Sequence, residues 1–202
     1  RKECANGAKP GHDIGADGVA TNLLCDDGSG GTVSCASAPD VFHRRTLPTT
    51  TGSLQPTVTL FQRLRVSALV EINRGRWMID GALRGRCGES STCRQLYFPH
   101  DYPSNVVAGV QTLDPLNYAL SDASYTKLRE ISVNYTFPDR WARMLGASRG
   151  SITLTGYNLA TWTDFTGLDP ETNISLTNVF SSLNYGNTPP LTKFVAAFRL
   201  SF

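Results

Sequence analysis

The sequence predicts an all-β chain. It reads as a piece of an antiparallel transmembrane β-barrel wall, with about five strands, short periplasmic turns and long extracellular loops. Three observations carry this reading. Several segments alternate apolar and polar residues with a period of two. The longest apolar runs are pieces such as Phe194-Val195-Ala196-Ala197-Phe198, far short of the roughly 18–20 residues of a membrane-spanning helix. Connections between the alternating segments run short, long, short, long, which in an antiparallel sheet gathers the long ones at one end.

The composition narrows the class. The 202 residues suit one domain or a piece of a larger one. Lys+Arg 19 against Asp+Glu 17 gives a net charge of +2, too little to steer the chain to nucleic acid. The chain opens at Arg1 with no Met and no basic-plus-apolar leader. A removed leader or a fragment is the expectation. Five cysteines favour an oxidising compartment, and the odd count leaves at least one unpaired.

Residues 1–52 are expected to form a loop region rich in Gly, Asp and Cys. Neither helical nor strand periodicity shows in Gly11-His12-Asp13-Ile14-Gly15-Ala16-Asp17-Gly18 or Asp26-Asp27-Gly28-Ser29-Gly30-Gly31. Residues 53–202 carry the strands. Leu54, Pro56, Val58 and Leu60 share one face of the first. After a tight turn at Phe61-Gln62, Leu64, Val66, Ala68, Val70 and Ile72 share the next, opposite Arg65, Ser67 and Glu71. Asn73 to Ser124 reads as irregular. Tyr125 to Phe137 alternates again, with Tyr125, Ile131, Val133, Tyr135 and Phe137 at odd positions and Glu130, Ser132 and Asn134 at even ones. Lys127, Leu128 and Arg129 break the pattern. Pro138 ends that strand, and Asp139 to Leu145 predicts one or two helical turns with Gly146 as C-cap. Ile152, Leu154 and Gly156 define a fourth strand. Thr163 to Leu191 reads as a second long loop. Phe194, Ala196, Phe198, Leu200 and Phe202 define the last strand.

Two media fit such alternation. A β-sandwich packs its apolar face on a second sheet, whereas a barrel wall turns it to lipid. The last strand alternates Phe with Ala and Leu and finds no sheet of matching pattern elsewhere. Tyr135, Phe137, Trp141, Trp162 and Phe165 gather at strand ends, like the aromatic girdles of barrels. The lipid-facing set is therefore Leu64, Val66, Val70, Ile131, Val133, Tyr135, Ile152, Leu154, Phe194, Phe198 and Leu200. Arg65, Glu71, Glu130, Asn134 and Arg199 are expected to face the lumen and keep it wet, with contact to a plug or substrate as the alternative.

Three segments carry a family resemblance. Residues Lys127-Leu128-Arg129-Glu130-Ile131-Ser132-Val133-Asn134-Tyr135-Thr136-Phe137-Pro138 resemble a segment near the end of SusC/RagA-type TonB-linked outer-membrane receptors. Gly156-Tyr157-Asn158-Leu159-Ala160-Thr161-Trp162-Thr163-Asp164-Phe165-Thr166-Gly167-Leu168-Asp169-Pro170-Glu171 is similar to a second, with Tyr157 in place of a polar residue. Phe198-Arg199-Leu200-Ser201-Phe202 resembles the terminal strand. Order and spacing match over roughly Leu47 to Phe202. The resemblance implies a large importer of oligosaccharides or peptides in the outer membrane of a Gram-negative bacterium, with a plug inside a barrel of about 22 strands. It implies a SusD-like lipoprotein partner. It also implies energy from the TonB complex, acting through an N-terminal part missing here. On this reading the chain is the C-terminal portion of the barrel, touching outer-membrane lipid. Phe202 then resembles the signal read by the barrel-assembly machinery. The alternative is a secreted β-sandwich module for glycan binding or adhesion.

The remaining candidates favour structural roles. Cys87 and Cys93 enclose five residues, which does not match short zinc spacing; a loop disulfide is expected. Cys4, Cys25 and Cys35 allow one further pair. The carboxylates Asp164, Asp169 and Glu171, like Asp13, Asp17, Asp26 and Asp27, lack the ladder of a calcium loop and read as polar turns. His12, His43 and His100 are scattered, and no catalytic set appears. No enzyme activity and no cofactor is expected. Asn134 and Asn173-Ile174-Ser175 match the glycosylation acceptor in form alone. The aromatics Tyr97, Phe98, Tyr102, Tyr118 and Tyr185 suit either sugar stacking or packing within a loop.

Overall fold

The computed structural model describes residues 13–21, 24–35, 37–39, 44–112, 119–172 and 183–202. Cys4, His12, His43, Tyr118 and Asn173-Ile174-Ser175 lie outside them. In chain order the elements are β1 (Leu24–Asp26), β2 (Thr32–Ser34), β3 (Thr50–Leu54), β4 (Thr57–Leu60), β5 (Leu64–Arg74), β6 (Trp77–Asp80), α1 (Gly81–Gly88), α2 (Arg94–Tyr97), α3 (Ser104–Thr112), β7 (Leu120–Asp122), β8 (Tyr125–Thr136), α4 (Asp139–Met144), β9 (Arg149–Thr163), β10 (Leu183–Asn184) and β11 (Lys193–Ser201). No described helix is long and apolar enough to cross a membrane.

Contacts divide the chain into two compact units. The first comprises Arg1–Leu47, Arg76–Ala123 and Phe165–Thr188. It holds the β1–β2 hairpin, a three-stranded sheet in the order β10-β6-β7, and helices α1 to α3. Disulfide Cys25–Cys35 closes the hairpin, and Cys87–Cys93 ties the end of α1 to the start of α2. Around the second bridge Leu83, Cys87, Cys93 and Val110 form a buried cluster. Among the described residues, the stretch from Asn73 to Ser124 expected to be irregular is thus corrected to a folded one. Its helices are too short to show a 3.6-residue period, and α1 carries three glycines. A cap compensates: the Asp80 carboxylate, 1% exposed, accepts from the Leu83 N–H at 2.9 Å.

The second unit comprises Pro48–Gly75, Ser124–Asp164 and Pro189–Phe202. It is one antiparallel sheet in the order β11-β9-β8-β5, with β3 and β4 both lying along the far side of β5. The interruption between β3 and β4 falls at Gln55-Pro56, since proline has no N–H to offer the ladder. Phe61 and Gln62 form the tight turn expected, both left-handed with φ of 51° and 58°, and the Arg63 N–H donates to the Leu60 carbonyl at 3.1 Å. The other short connection holds α4. Gly146 follows it at φ 72°, so that its N–H reaches the Arg143 carbonyl and the Ala147 N–H the Ala142 carbonyl, both at 3.0 Å. Leu64 pairs with Leu60 and Tyr135, and Tyr135 with Ile152, which places both short connections at the same end of the sheet.

Candidate functional site

The second unit presents two chemically opposite faces, and the register fixes which residues share each. Side chains alternate along a strand, and residues paired across strands point the same way. Val58, Val66, Val133, Leu154 and Ala196 form one continuous row. Leu60, Leu64, Tyr135, Ile152 and Phe198 form the next. Ile131, Gly156 and Phe194 lie in a third, Leu200 opposes Gly150, and Val70 opposes Leu54. All eleven residues expected to share the apolar face do share it. That face is uncovered: Phe194 is 80% exposed, Phe198 57% and Leu154 52%.

The other face is polar. Arg65 pairs with Asn134, Glu71 with Lys127, Glu130 with Tyr157, and Arg199 with Ser151. The five polar candidates therefore also fall together. Asn134 Nδ2 donates to Thr153 Oγ1 at 2.7 Å, and the hydroxyls of Ser132 and Thr155 share a hydrogen bond at 3.1 Å. Glu71 takes Arg129 Nε at 2.7 Å on one oxygen and the Tyr125 hydroxyl at 3.0 Å on the other. Lys127 Nζ lies 5.3 Å from the centre of the Tyr125 ring, and Lys193 Nζ 4.8 Å from that of Tyr157.

Tyr125 requires a correction. Its odd number placed it with Ile131 and Val133, but it faces Glu71 on the polar side. A bulge is the reason. Leu69 pairs with Glu130 and Val70 with Leu128, so Arg129 is an extra residue in β8. Everything before it changes phase, and Leu128 moves to the apolar face. On β9 the residues facing this bulge are Asn158 and Leu159. Asn158 is left-handed at φ 52°, a conformation Asn tolerates better than most residues. Its Nδ2 donates to the Leu191 carbonyl at 3.2 Å and its own carbonyl accepts from Thr192 Oγ1 at 2.7 Å. The break in alternation at Lys127-Leu128-Arg129 was the signal for this bulge. Beyond the bulge β9 runs on to Thr163, so Ala160 and Trp162 extend the apolar face past the strand end the pattern suggested.

Aromatic rings bound the apolar band at both ends. Near the short connections, Phe137 lies 6.0 Å from Tyr135, 6.2 Å from Trp141 and 5.6 Å from Phe198, between ring centres. At the other end stands Trp162, 57% exposed. Ile152 and Trp162 are ten residue steps apart on β9, which the ladder matches to nine on β8 and, free of the bulge, eight on β5 from Leu64 to Ile72. At about 3.3 Å per residue eight steps are about 26 Å along the strand. The strand tilt of about 40° found in outer-membrane barrels turns that length into about 20 Å of height, near their ~25 Å apolar band. Within the band Gly156 leaves a shallow groove of about 470 Å³, lined by Ile131, Leu154, Leu159 and Phe194 among others. A Cβ there would meet Leu159 at 2.8 Å and Phe194 at 3.0 Å.

The other candidates resolve into structure. Cys87 is bonded to Cys93, and Cys25 to Cys35. Asp169 sits 6% exposed and accepts from the Glu171 N–H at 2.8 Å, while Asn184 Nδ2 donates to the Asp169 and Thr172 carbonyls at 2.7 and 2.8 Å. Asp169 is thus a buried, internally bonded turn residue, while Glu171 is half-buried and Asp164 exposed. Hydrogen bonds from the Ser29 N–H and hydroxyl and from the Gly31 N–H hold the Asp27 carboxyl below its ordinary value. Among the described residues no three His, Cys, Asp or Glu side chains gather as a metal site. His100 lies in the helical turn Pro99–Asp101.

No family model matches the chain. In sequence it is 32% identical over 88 residues to TonB-dependent receptor P3 of Formosa agariphila, an alignment covering 40% of this chain and 9% of that protein. In fold it matches the RagAB peptide transporter with a TM-score of 0.70 at 18% identity, and the RagAB peptide importer in its open-open state with 0.68 at 18%. Both matches cover all of this chain and 22% of the other. The chain therefore spans about a fifth of the length of the structures it matches. The expected resemblance is borne out: a TonB-dependent receptor in sequence and RagAB in fold.

Proposed function

We propose that this chain is part of the barrel wall of a TonB-dependent, SusC/RagA-type transporter in the outer membrane of a Gram-negative bacterium. One observation carries the reading: a single sheet with an uncovered apolar band about 26 Å long along the strands, aromatic at both rims, backed by a hydrogen-bonded polar face. A soluble sandwich would cover that apolar face with a second sheet. The apolar face meets lipid, and the polar face lines the lumen. The short connections lie toward the periplasm, and the long ones open to the outside. The unpaired edges at β11 and at β3–β4 continue into neighbouring strands, since an open edge in lipid leaves backbone groups unsatisfied. The whole receptor imports an oligosaccharide or a peptide. It works with a SusD-like lipoprotein and draws energy from TonB, and the barrel-assembly machinery inserts it. The segment itself does no bond chemistry.

Arginine substitutions separate the two faces. In the full-length receptor, Val133→Arg at mid-band is expected to cost about 2–4 kcal/mol and to weaken the gel-migration difference between unheated and boiled protein. Its neighbour Ser132→Arg should leave that difference intact. Equal tolerance of both substitutions would contradict the reading.

A further inference from the structure

We propose that the short-connection rim of the sheet is a binding surface for anionic phospholipid headgroups, centred on α4. The inference rests on the barrel-wall reading above. Its first support is position. Trp141 packs edge-on to Tyr135 at 6.5 Å and tilted against Phe137 at 6.2 Å, between ring centres, at the edge of the apolar band. Arg140 precedes it and Arg143 follows within the same short helix. At 3.6 residues per turn, Arg140 and Arg143 project about 100° and about 160° around the helix axis from Trp141, on the side turned away from it. A ring at the hydrocarbon boundary thus puts two guanidinium groups at the level of lipid phosphates.

The second support is exposure of both characters together. Met144 is 86% exposed, Leu145 52% and Trp141 45%, while Ala142 faces inward at 0%. This suits a helix lying in the interface, with apolar side chains among the acyl chains and long cationic ones reaching outward. The third support is charge. Arg63 of the first turn and Arg149 at the start of β9 stand at the same end, and Asp139 is the one acid in residues 61–65, 135–151 and 198–202. Among the described residues Arg63, Arg140, Arg143 and Arg149 are exposed and enter no ion pair. Arginine grips phosphate through two parallel N–H donors, where lysine offers a point charge.

The test uses the full-length receptor in phosphatidylcholine vesicles carrying a trace of spin-labelled phosphatidylglycerol or spin-labelled phosphatidylcholine. Electron paramagnetic resonance measures the share of each label held at the protein surface. The unaltered receptor is expected to prefer phosphatidylglycerol, less so as salt rises. Arg140→Gln with Arg143→Gln should remove most of the preference. Arg140→Lys with Arg143→Lys should keep most of it, and Arg84→Gln with Arg94→Gln in the first unit should leave it unchanged. Equal retention of both labels, or a preference that survives the glutamine pair, overturns the proposal. Should the glutamine pair fail to fold, the salt series on the unaltered receptor decides. A receptor that immobilises neither label instead contradicts the barrel-wall reading itself.

Discussion

Asn158 shows how one side chain sets the course of two strands. It bends β9 at the bulge and ties it to the segment entering β11 through the Leu191 and Thr192 contacts. Asn158→Val places a β-branched residue at positive φ and removes a hydrogen bond. A loss of about 2–3 kcal/mol in urea unfolding of the full-length receptor is expected. Asn158→Gly keeps the backbone and should cost about 1 kcal/mol or less. The Glu71–Arg129 pair calls for a smaller figure. Its side chains are 37% and 16% exposed, so water screens it. A double-mutant cycle through Glu71→Gln and Arg129→Gln should give about 0.5–1 kcal/mol of coupling. The pattern of the sequence revealed that Arg129 broke alternation, but not that it was the extra residue. That identity depends on which partner residue is skipped across the ladder.

Elements differ in how plainly the sequence announces them. The strands were legible because a one-sided sheet writes its period of two into the chain, as Leu64 to Ile72 and Ile131 to Tyr135 show. Helix α4 was legible through Pro138 at its start and Gly146 at its end. The Phe61-Gln62 turn was placed correctly, although its residues do not favour it. Both adopt left-handed backbone, where Asn and Gly are the usual occupants. Gln62→Gly should therefore stabilise the hairpin by about 0.5–1 kcal/mol. Slower unfolding of the receptor in denaturant would register it. Helices α1 and α2 were not legible, being short and held by the Asp80 cap and the Cys87–Cys93 bridge rather than by an amphipathic repeat.

At the scale of the molecule, the sequence spoke clearly for one unit and faintly for the other. The second unit repeats a simple rule along six strands, and the rule survives without knowledge of any partner. The first unit is assembled from three separate stretches of chain. Its contacts include the Thr166 hydroxyl donating to Asp80 Oδ2 at 3.2 Å, which joins two of those stretches and is invisible to any local pattern. The candidate faces were legible down to their residues, apart from the phase change before Arg129. What lies against each face is the central claim. It is most directly tested by nitroxide labels placed one at a time at residues 131 to 135 of the intact receptor in a bilayer. Oxygen, which concentrates in lipid, should collide most with labels at Ile131, Val133 and Tyr135, and a water-soluble nickel chelate most with those at Ser132 and Asn134. Labels at Val133 and Ile131 shielded from both reagents, with no period of two, would contradict it.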